Sequence, residues 1–122
     1  MARTSRTTTD SVKDYGPVED RSSELDGYTV NFVTIREAQD LAPMLASLPG
    51  GRCACPHWGH LLRGRMLVHY PDHDEVIEAG DAFYMPPGHV PEADAGTEFI
   101  QFSPTTELAA TEAAIAAAMQ AH

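Results

Sequence analysis

The most informative stretch of this sequence is Gly80-Asp81-Ala82-Phe83-Tyr84-Met85-Pro86-Pro87-Gly88-His89. It contains a Gly-Asp turn, a short run of apolar and aromatic residues, and a stiff Pro-Pro-Gly turn that ends at an imidazole. A short β-rich run between two turns is typical of a strand in an antiparallel sheet. We therefore expect His89 to follow a strand directly, after a turn that limits its freedom.

Reactive side chains are concentrated upstream of that stretch, in Cys53-Ala54-Cys55-Pro56-His57-Trp58-Gly59-His60. Successive side chains of an extended chain alternate between its two faces, so Cys53, Cys55 and His57 are expected to point in one direction. Thiolate sulfur and imidazole nitrogen are common ligands of transition metals in proteins. The sequence therefore indicates a transition-metal site, with Cys53, Cys55 and His57 of this stretch and His89 of the first stretch as candidate ligands.

The chain from Tyr28 onward predicts a succession of short strands separated by turns. Tyr28–Ile35 alternates between polar and apolar residues and is rich in β-formers, which predicts a strand. Leu61–Tyr70 predicts two strands with a kink at Gly64. Glu98–Phe102 predicts a last strand. Strands this short, at this regular spacing, indicate a β-sandwich or a β-barrel.

The two ends of the chain differ from this body in composition. Residues 1–24 are rich in Thr, Ser and charge, which predicts a flexible N-terminal arm; the alternative is an arm or strand that reaches a partner subunit. A C-terminal helix is predicted over Thr106–Ala121, and it packs on the barrel or on a second subunit through an apolar stripe of Leu108, Ile115 and Met119. The predicted domains are thus an arm over 1–24, a β-barrel over 25–104 and a helical segment over 105–122.

The composition limits the classes of function. With 122 residues the chain forms one domain. Its formal charge of −10 repels phosphate groups, so we expect no nucleic-acid partner and no membrane partner. No apolar run is long enough to span a bilayer, and the first residues lack the apolar region of a secretory signal, so we expect a cytoplasmic protein. The cysteines lie too close together in sequence for a disulfide framework, which favours metal or redox chemistry.

Two motifs of this sequence resemble those of the cupin family, a family of small antiparallel β-barrels. The second cupin motif runs Gly, five residues, Pro, one residue, Gly, two residues, His. Gly80, Pro86 and Gly88 occupy its first three fixed positions. The position of the family's histidine is Pro91 here, and His89 stands two residues earlier, which keeps it on the same face of an extended chain.

The first cupin motif has His-x-His, a short spacer, Glu, and a stretch that ends in Gly. Counting back from Gly64, His57 falls at the family's glutamate, Cys53 at its second histidine and Gly51 at its first. The resemblance covers residues 52–102. It implies an all-β fold, a cupin-like antiparallel β-barrel of the jelly-roll type, and a homodimer.

The altered ligand set changes the metal that we expect. The common cupin set of three imidazoles and one carboxylate suits Fe(II), Mn or Ni. Replacing part of that set with thiolate makes the site softer and more anionic, so Zn(II) is the expected metal, with Fe and Cu as alternatives. The remaining alternative is a metal-free barrel lined by polar side chains.

Further side chains are predicted to line a pocket near the metal, namely Trp58, His60, Tyr84, Met85 and Phe99. For His60 a surface position is also open, because it alternates with His57, and for Trp58 the other interpretation is a core or interface anchor. No general acid or base stands out beyond the histidines. Glu92 and Glu98 are candidates only because they lie near the second motif in the sequence. The catalytic residues therefore stay unassigned.

Two functions follow from these features. The first is a metalloenzyme that acts on a small organic molecule, and the resemblance implies dioxygenase, isomerase, lyase or decarboxylase chemistry without choosing among them. The alternative is a non-catalytic module that senses a metal, a redox signal or a small ligand, a role suited to two thiolates that close the coordination of a metal. A metal-free structural subunit is a third interpretation.

Overall fold

The structure, a computed structural model, describes residues 3–120, with side chains described as far as residue 118. Within that range the chain forms two β-sheets and two α-helices. The strands are β1 (Ser11–Asp14), β2 (Val18–Leu25), β3 (Tyr28–Ile35), β4 (Gln39–Asp40), β5 (His57–Arg63), β6 (Arg65–His69), β7 (Asp74–Glu78), β8 (Ala82–Met85), β9 (Val90–Ala93) and β10 (Glu98–Pro104). The helices are α1 (Ala42–Leu45) and α2 (Thr105–Gln120).

The strands divide between a larger and a smaller sheet. The larger sheet has the order β1-β2-β3-β10-β5-β8, and the smaller sheet has the order β4-β9-β6-β7. Every pairing between strands in the described part of the chain is antiparallel. The predicted all-β class with a C-terminal helix is therefore confirmed, and β3 has the bounds that the alternation of its residues predicts.

Gly64 forms the corner at which the chain leaves the larger sheet after β5 and enters the smaller sheet as β6. Its φ of +85° lies in the left-handed region, and a Cβ atom there would collide with Thr97. The Thr97 hydroxyl accepts a bond from the backbone N–H of Arg65 and donates one to its carbonyl oxygen, both at 3.2 Å. The predicted kink is thus a tight corner that a side chain at position 64 would break.

The structure differs from the prediction of a flexible arm over residues 1–24. β1 pairs with β2, and β2 pairs with β3 along its whole length. Ion pairs hold this polar hairpin in place: Glu19 contacts Arg21 at 2.7 Å and Arg36 at 3.1 Å, and Arg36 contacts Asp14 at 2.8 Å. Backbone pairing needs no apolar side chains, which is why a composition rich in Thr, Ser and charge missed these strands. Met1 and Ala2 lie outside the described residues.

Two clusters of buried side chains form the core. The first joins the two sheets through Leu61, Met66, Val68, Tyr70, Ile77 and Met85. The second joins α1 to the segment before β5 through Leu45, Leu48, Cys53, Cys55 and Val90. Burying a large apolar side chain stabilises a fold by about 1.5–3 kcal/mol. The second cluster contains both cysteines.

The helix α2 begins one residue before its predicted start, and its predicted last residue, Ala121, lies outside the described residues. Leu108 and Ile115 pack against the second core cluster, so this part of the predicted stripe contacts the chain's own core. The side chain of Met119 lies outside the described part of the chain. No helix in the described residues is long and apolar enough to cross a membrane.

Candidate metal centre

Backbone hydrogen bonds bring the two predicted ligand segments together. The N–H of Cys53 donates to the carbonyl oxygen of His89 at 3.1 Å, and the N–H of Gly88 donates to the carbonyl oxygen of Cys53 at 2.8 Å. β5 then starts at His57, which lies opposite Met85, the last residue of β8. The Pro-Pro-Gly turn between β8 and β9 is therefore fixed directly against the cysteine segment.

The side chains of Cys53, His57 and His89 meet at one point. All three are buried, and their ligand atoms lie within 4.8 Å of one another. Around a tetrahedral zinc ion, ligand atoms are separated by roughly 3.5 Å, so shifts of about an ångström bring these atoms to that spacing. One sulfur and two imidazole nitrogens thus fit a transition metal in both chemistry and position.

Cys55 does not belong to this group. The chain bends at Cys55 instead of running straight from Cys53 into β5, so the expected alternation does not apply there. The Cys55 thiol donates to the carbonyl oxygen of Pro56 at 3.6 Å, and the side chain is buried in the second core cluster. The structure therefore places three of the four predicted ligands together and leaves the fourth apart.

Both imidazoles are held through their Nδ1 atoms. His89 Nδ1–H donates to the carbonyl oxygen of Pro86 at 2.8 Å, and His57 Nδ1 is hydrogen-bonded to the Ser103 hydroxyl at 2.6 Å. These bonds leave Nε2 of each ring as the atom available to a metal. Ser103, which the sequence analysis did not single out, is fully buried and serves as the support of the His57 ring.

Burial keeps the three candidate ligands in their neutral forms. Burial, followed by the proximity of His89, lowers the pKa of His57 to about 3. Burial also lowers the pKa of His89, against a smaller opposite effect of its bond to Pro86. Neutral imidazoles are the form that binds metals. Burial raises the pKa of the Cys53 thiol, so metal binding there would displace a proton.

The three side chains form part of the wall of a large cavity. It has a volume of about 840 Å³, and α2 and the N-terminal hairpin contribute to its lining. An ion pair between Lys13 of β1 and Glu112 of α2, at 3.7 Å, joins these two elements at the cavity. Most of the remaining wall is apolar, including Val33, Ile35, Leu41, Met66, Met85 and Phe99. A cavity of this size accepts a small organic molecule.

Only two of the five predicted pocket residues line this cavity, namely Met85 and Phe99. The prediction is wrong for Trp58, His60 and Tyr84, which lie on the outer face of the larger sheet. Trp58 is 42% exposed, and its ring stacks on Tyr84 with centroids 5.0 Å apart. Trp58 and His60 alternate with His57 along β5, and Tyr84 alternates with Met85 along β8, so their side chains point away from the cavity. The sequence already contained this signal.

The two candidate acids have different environments. Glu92 lines the cavity and is hydrogen-bonded to Nε2 of His69. Glu98 instead forms ion pairs with Arg6 at 3.5 Å and with Arg63 at 3.7 Å, outside this cavity. Sequence reasoning also missed the polar residues of the cavity wall on β2, β3 and β10, namely Asp20, Asn31 and Gln101. For Asn31 the available signal was its spacing of two and four residues from Val33 and Ile35, which places all three on one face of β3.

Comparison with known proteins identifies the fold. The sequence matches no family model and no curated protein. Among solved structures, a protein of unknown function from Rhizobium leguminosarum bv. viciae 3841 has a TM-score of 0.62 at 18% identity, over 84% of this chain and 95% of that chain. An RmlC-like cupin from Shewanella frigidimarina NCIMB 400 has a TM-score of 0.56 at 16% identity, over 85% of this chain and 95% of that chain. The polyketide cyclase RemF from Streptomyces resistomycificus has a TM-score of 0.58 at 14% identity, over 85% of this chain and 79% of that chain.

These identities are low, so the likeness shows the fold alone. The chain has the cupin fold, and the predicted jelly-roll barrel is confirmed. Its candidate metal ligands are one cysteine and two histidines, which differs from the three histidines and one glutamate of the cupin motifs that the sequence resembles.

Proposed function

We propose that this chain is a metalloprotein that holds a divalent transition metal on Cys53, His57 and His89 and acts on a small organic molecule bound beside it. The observation that carries the proposal is the position of the three ligand atoms, which lie within 4.8 Å of one another in the wall of a cavity of about 840 Å³. A purely structural zinc site usually has four protein ligands and no open position. Three ligands beside a large cavity favour a site that keeps a position for substrate or water.

Several groups of this chain would have separate roles at such a site. Ser103 and the carbonyl group of Pro86 would orient the His57 and His89 rings so that Nε2 of each faces the ion. The apolar wall would exclude bulk water from the bound molecule. A metal held there supplies Lewis-acid polarisation or a more acidic bound water. Zn(II) is the metal that one sulfur and two imidazole ligands suit best, and Fe and Cu are the alternatives.

A sensing module is the second candidate function, and the burial of Cys55 close to the centre favours it. The Cys53 Sγ lies 4.0 Å from the carbonyl oxygen of Cys55, and both cysteines are free thiols. A rearrangement of that bend would add a second sulfur and close the coordination sphere. Free thiols of this kind are consistent with the proposed cytoplasmic location, where thiols stay reduced.

Metal analysis of the purified chain tests the proposal. We expect about one transition-metal ion per chain in the wild type, and loss of that ion in His57→Ala and Cys53→Ser. His60→Ala and Cys55→Ser are the matched controls, because His60 is exposed and Cys55 lies outside the ligand group. A wild-type chain that neither contains nor takes up a metal contradicts the proposal. Loss of the metal in Cys55→Ser supports the sensing module instead.

We also propose a homodimer, as the resemblance to cupins implies. Tyr28, Trp58, Tyr84 and Phe102 are each more than 40% exposed, and the Trp58 ring packs against the rings of Tyr28 and Tyr84. Exposed aromatic clusters of this kind are typical of protein interfaces. Sedimentation analysis tests the proposal: we expect a dimer for the wild type and a monomer for Trp58→Ser. A monomeric wild type would remove it.

A further inference from the structure

Three polar side chains interrupt the apolar wall of the cavity on neighbouring strands of the larger sheet. They are Asp20 on β2, Asn31 on β3 and Gln101 on β10, and all three line the cavity. Asn31 lies directly opposite Gln101, and Asp20 lies opposite Val33, which shares a face of β3 with Asn31. We call Asp20, Asn31 and Gln101 the polar band.

The hydrogen bonding of Asn31 is incomplete. Its Nδ2 donates to Asp20 Oδ1 at 2.9 Å, while its Oδ1 is buried and has no hydrogen-bond partner among the described residues. Asn31 is only 6% exposed, so bulk water does not replace the missing partner. A buried acceptor without a partner is destabilising, and in native proteins it calls for an explanation such as a ligand.

Gln101 also has spare hydrogen-bonding capacity. Its side chain forms no hydrogen bond with the described part of the chain, although it carries two donors and an acceptor. It lies two residues before Ser103, which holds the His57 ring. Positions two apart on one strand share a face, so the polar band lies next to the candidate metal centre.

Asp20 completes the band and gives it an acidic character. Burial raises the pKa of its carboxyl group, against the smaller opposite effects of the bond from Asn31 and of the Lys13 charge. The carboxyl groups of Asp20, Glu92 and Glu112 line the cavity together with a single lysine, Lys13, which is already paired with Glu112. Among the described residues, an anionic group therefore finds no free positive side chain beside the band.

We propose that the polar band is the recognition site for a ligand of the same cavity, and that this ligand is an uncharged, largely apolar molecule with a hydroxyl or carbonyl group directed at Asn31 and Gln101. The inference rests on the proposed function only in placing the ligand beside the metal. The volume of about 840 Å³ and the apolar remainder of the wall accommodate fused rings or a branched hydrocarbon body. The unpartnered Oδ1 of Asn31 accepts from a hydroxyl group, and the Gln101 amide donates to the oxygen of a hydroxyl or carbonyl group.

A matched pair of probes tests the band without knowledge of the natural ligand. The probes are 2-naphthol and naphthalene, which share a body and differ by one hydroxyl group. Equilibrium dialysis against the metal-containing protein gives a dissociation constant for each. The measured quantity is the change in their ratio between wild type and variant, because this change cancels the difference in hydrophobicity between the probes. Metal content is determined on every sample.

We expect Gln101→Ala and Asn31→Ala to lower the relative preference for 2-naphthol by about tenfold, which corresponds to one or two hydrogen bonds. Their metal content should equal that of the wild type. Ser22→Ala is the matched control, since Ser22 lies on β2 directly opposite Asn31 but does not line the cavity, and it should change nothing. Gln101→Ala guards against failure of Asn31→Ala to fold, because the Gln101 side chain forms no hydrogen bond with the described residues that its removal would break.

Other outcomes overturn the polar-band proposal, or overturn the proposed function and leave the polar band standing. If the preference for 2-naphthol disappears in His57→Ala but persists in Gln101→Ala, the hydroxyl group binds at the metal and the polar band is not the recognition site. Failure of the wild type to bind either probe overturns the proposal as well. If the wild type lacks a metal but retains the preference that Gln101→Ala removes, the proposed function fails and the polar band stands.

Discussion

The two faces of strand β5 carry similar side chains with opposite roles. On the inner face His57 and Leu61 are 7% and 0% exposed, whereas on the outer face Trp58 and Leu62 are 42% and 44% exposed. Residue type does not separate these sets, since each contains an aromatic ring and a leucine. Position along the strand separates them, because neighbouring residues of a strand point to opposite faces of the sheet. In this molecule, alternation is thus a better guide to function than composition.

The largest expected effect comes from the two leucines of β5. Leu61→Ala should destabilise the fold by about 2–5 kcal/mol, because it leaves a cavity in a fully buried position. Leu62→Ala should change stability by about 0.5 kcal/mol or less, because Leu62 is largely exposed. Urea denaturation of both variants measures the difference. Equal losses would show that the two faces are not distinct.

A second test compares the Ser103 hydroxyl, which supports the candidate metal ligand His57, with a hydroxyl that does not. Ser103→Ala should weaken metal binding by about 10- to 100-fold, because it removes the group that orients the His57 ring. The control is Thr105→Ala, whose hydroxyl is bonded at 2.9 Å to that of Thr29 instead. Competition with a chelator measures both affinities. Unchanged affinity in Ser103→Ala would mean that the inner face positions its ligands in another way.

The smallest effect concerns His69, a partly exposed histidine of the smaller sheet. Its bonds to Glu92 and then to Asp74 raise its pKa above the ordinary value of 6.5, in contrast to His57, whose pKa burial lowers. A raised pKa in the folded state stabilises the fold fully below pH 6.5, and this stabilisation is lost as the pH rises through the folded-state value.

We therefore expect His69→Gln to reduce stability at about pH 6 by less than about 1 kcal/mol, because the ion pairs are exposed, and to have no effect at about pH 9. Urea denaturation at the two pH values measures the difference. A larger loss at the higher pH would contradict the assigned cause.

The sequence predicted those parts of the fold where local pattern and backbone agree. The alternation of Tyr28–Ile35 fixed β3, and the glycine at position 64 marked the corner between the sheets. The hairpin of β1 and β2 was missed because its strands are held by backbone pairing and by ion pairs to Arg36, which is distant in sequence. No local pattern records such a partner.

The candidate site was predictable to a similar degree and for similar reasons. The sequence placed the two ligand segments close together through the resemblance to a barrel, and the structure brings Cys53, His57 and His89 to one point. The bend at Cys55 was not predictable, because alternation gives side-chain directions only along an extended chain. Asp20 and Gln101 were missed because no local sequence pattern shows that β2 and β10 are the neighbours of β3 in the larger sheet.

The order of the segments along the chain has a consequence for how the protein is made. The residues of the candidate centre, from Cys53 to Ser103, all precede α2, the helix that supplies part of the cavity wall. Chains leave the ribosome from the N-terminus, so the barrel emerges before this helix does. Biosynthesis therefore leaves an interval in which the residues of the candidate centre have emerged and the helical part of the cavity wall has not.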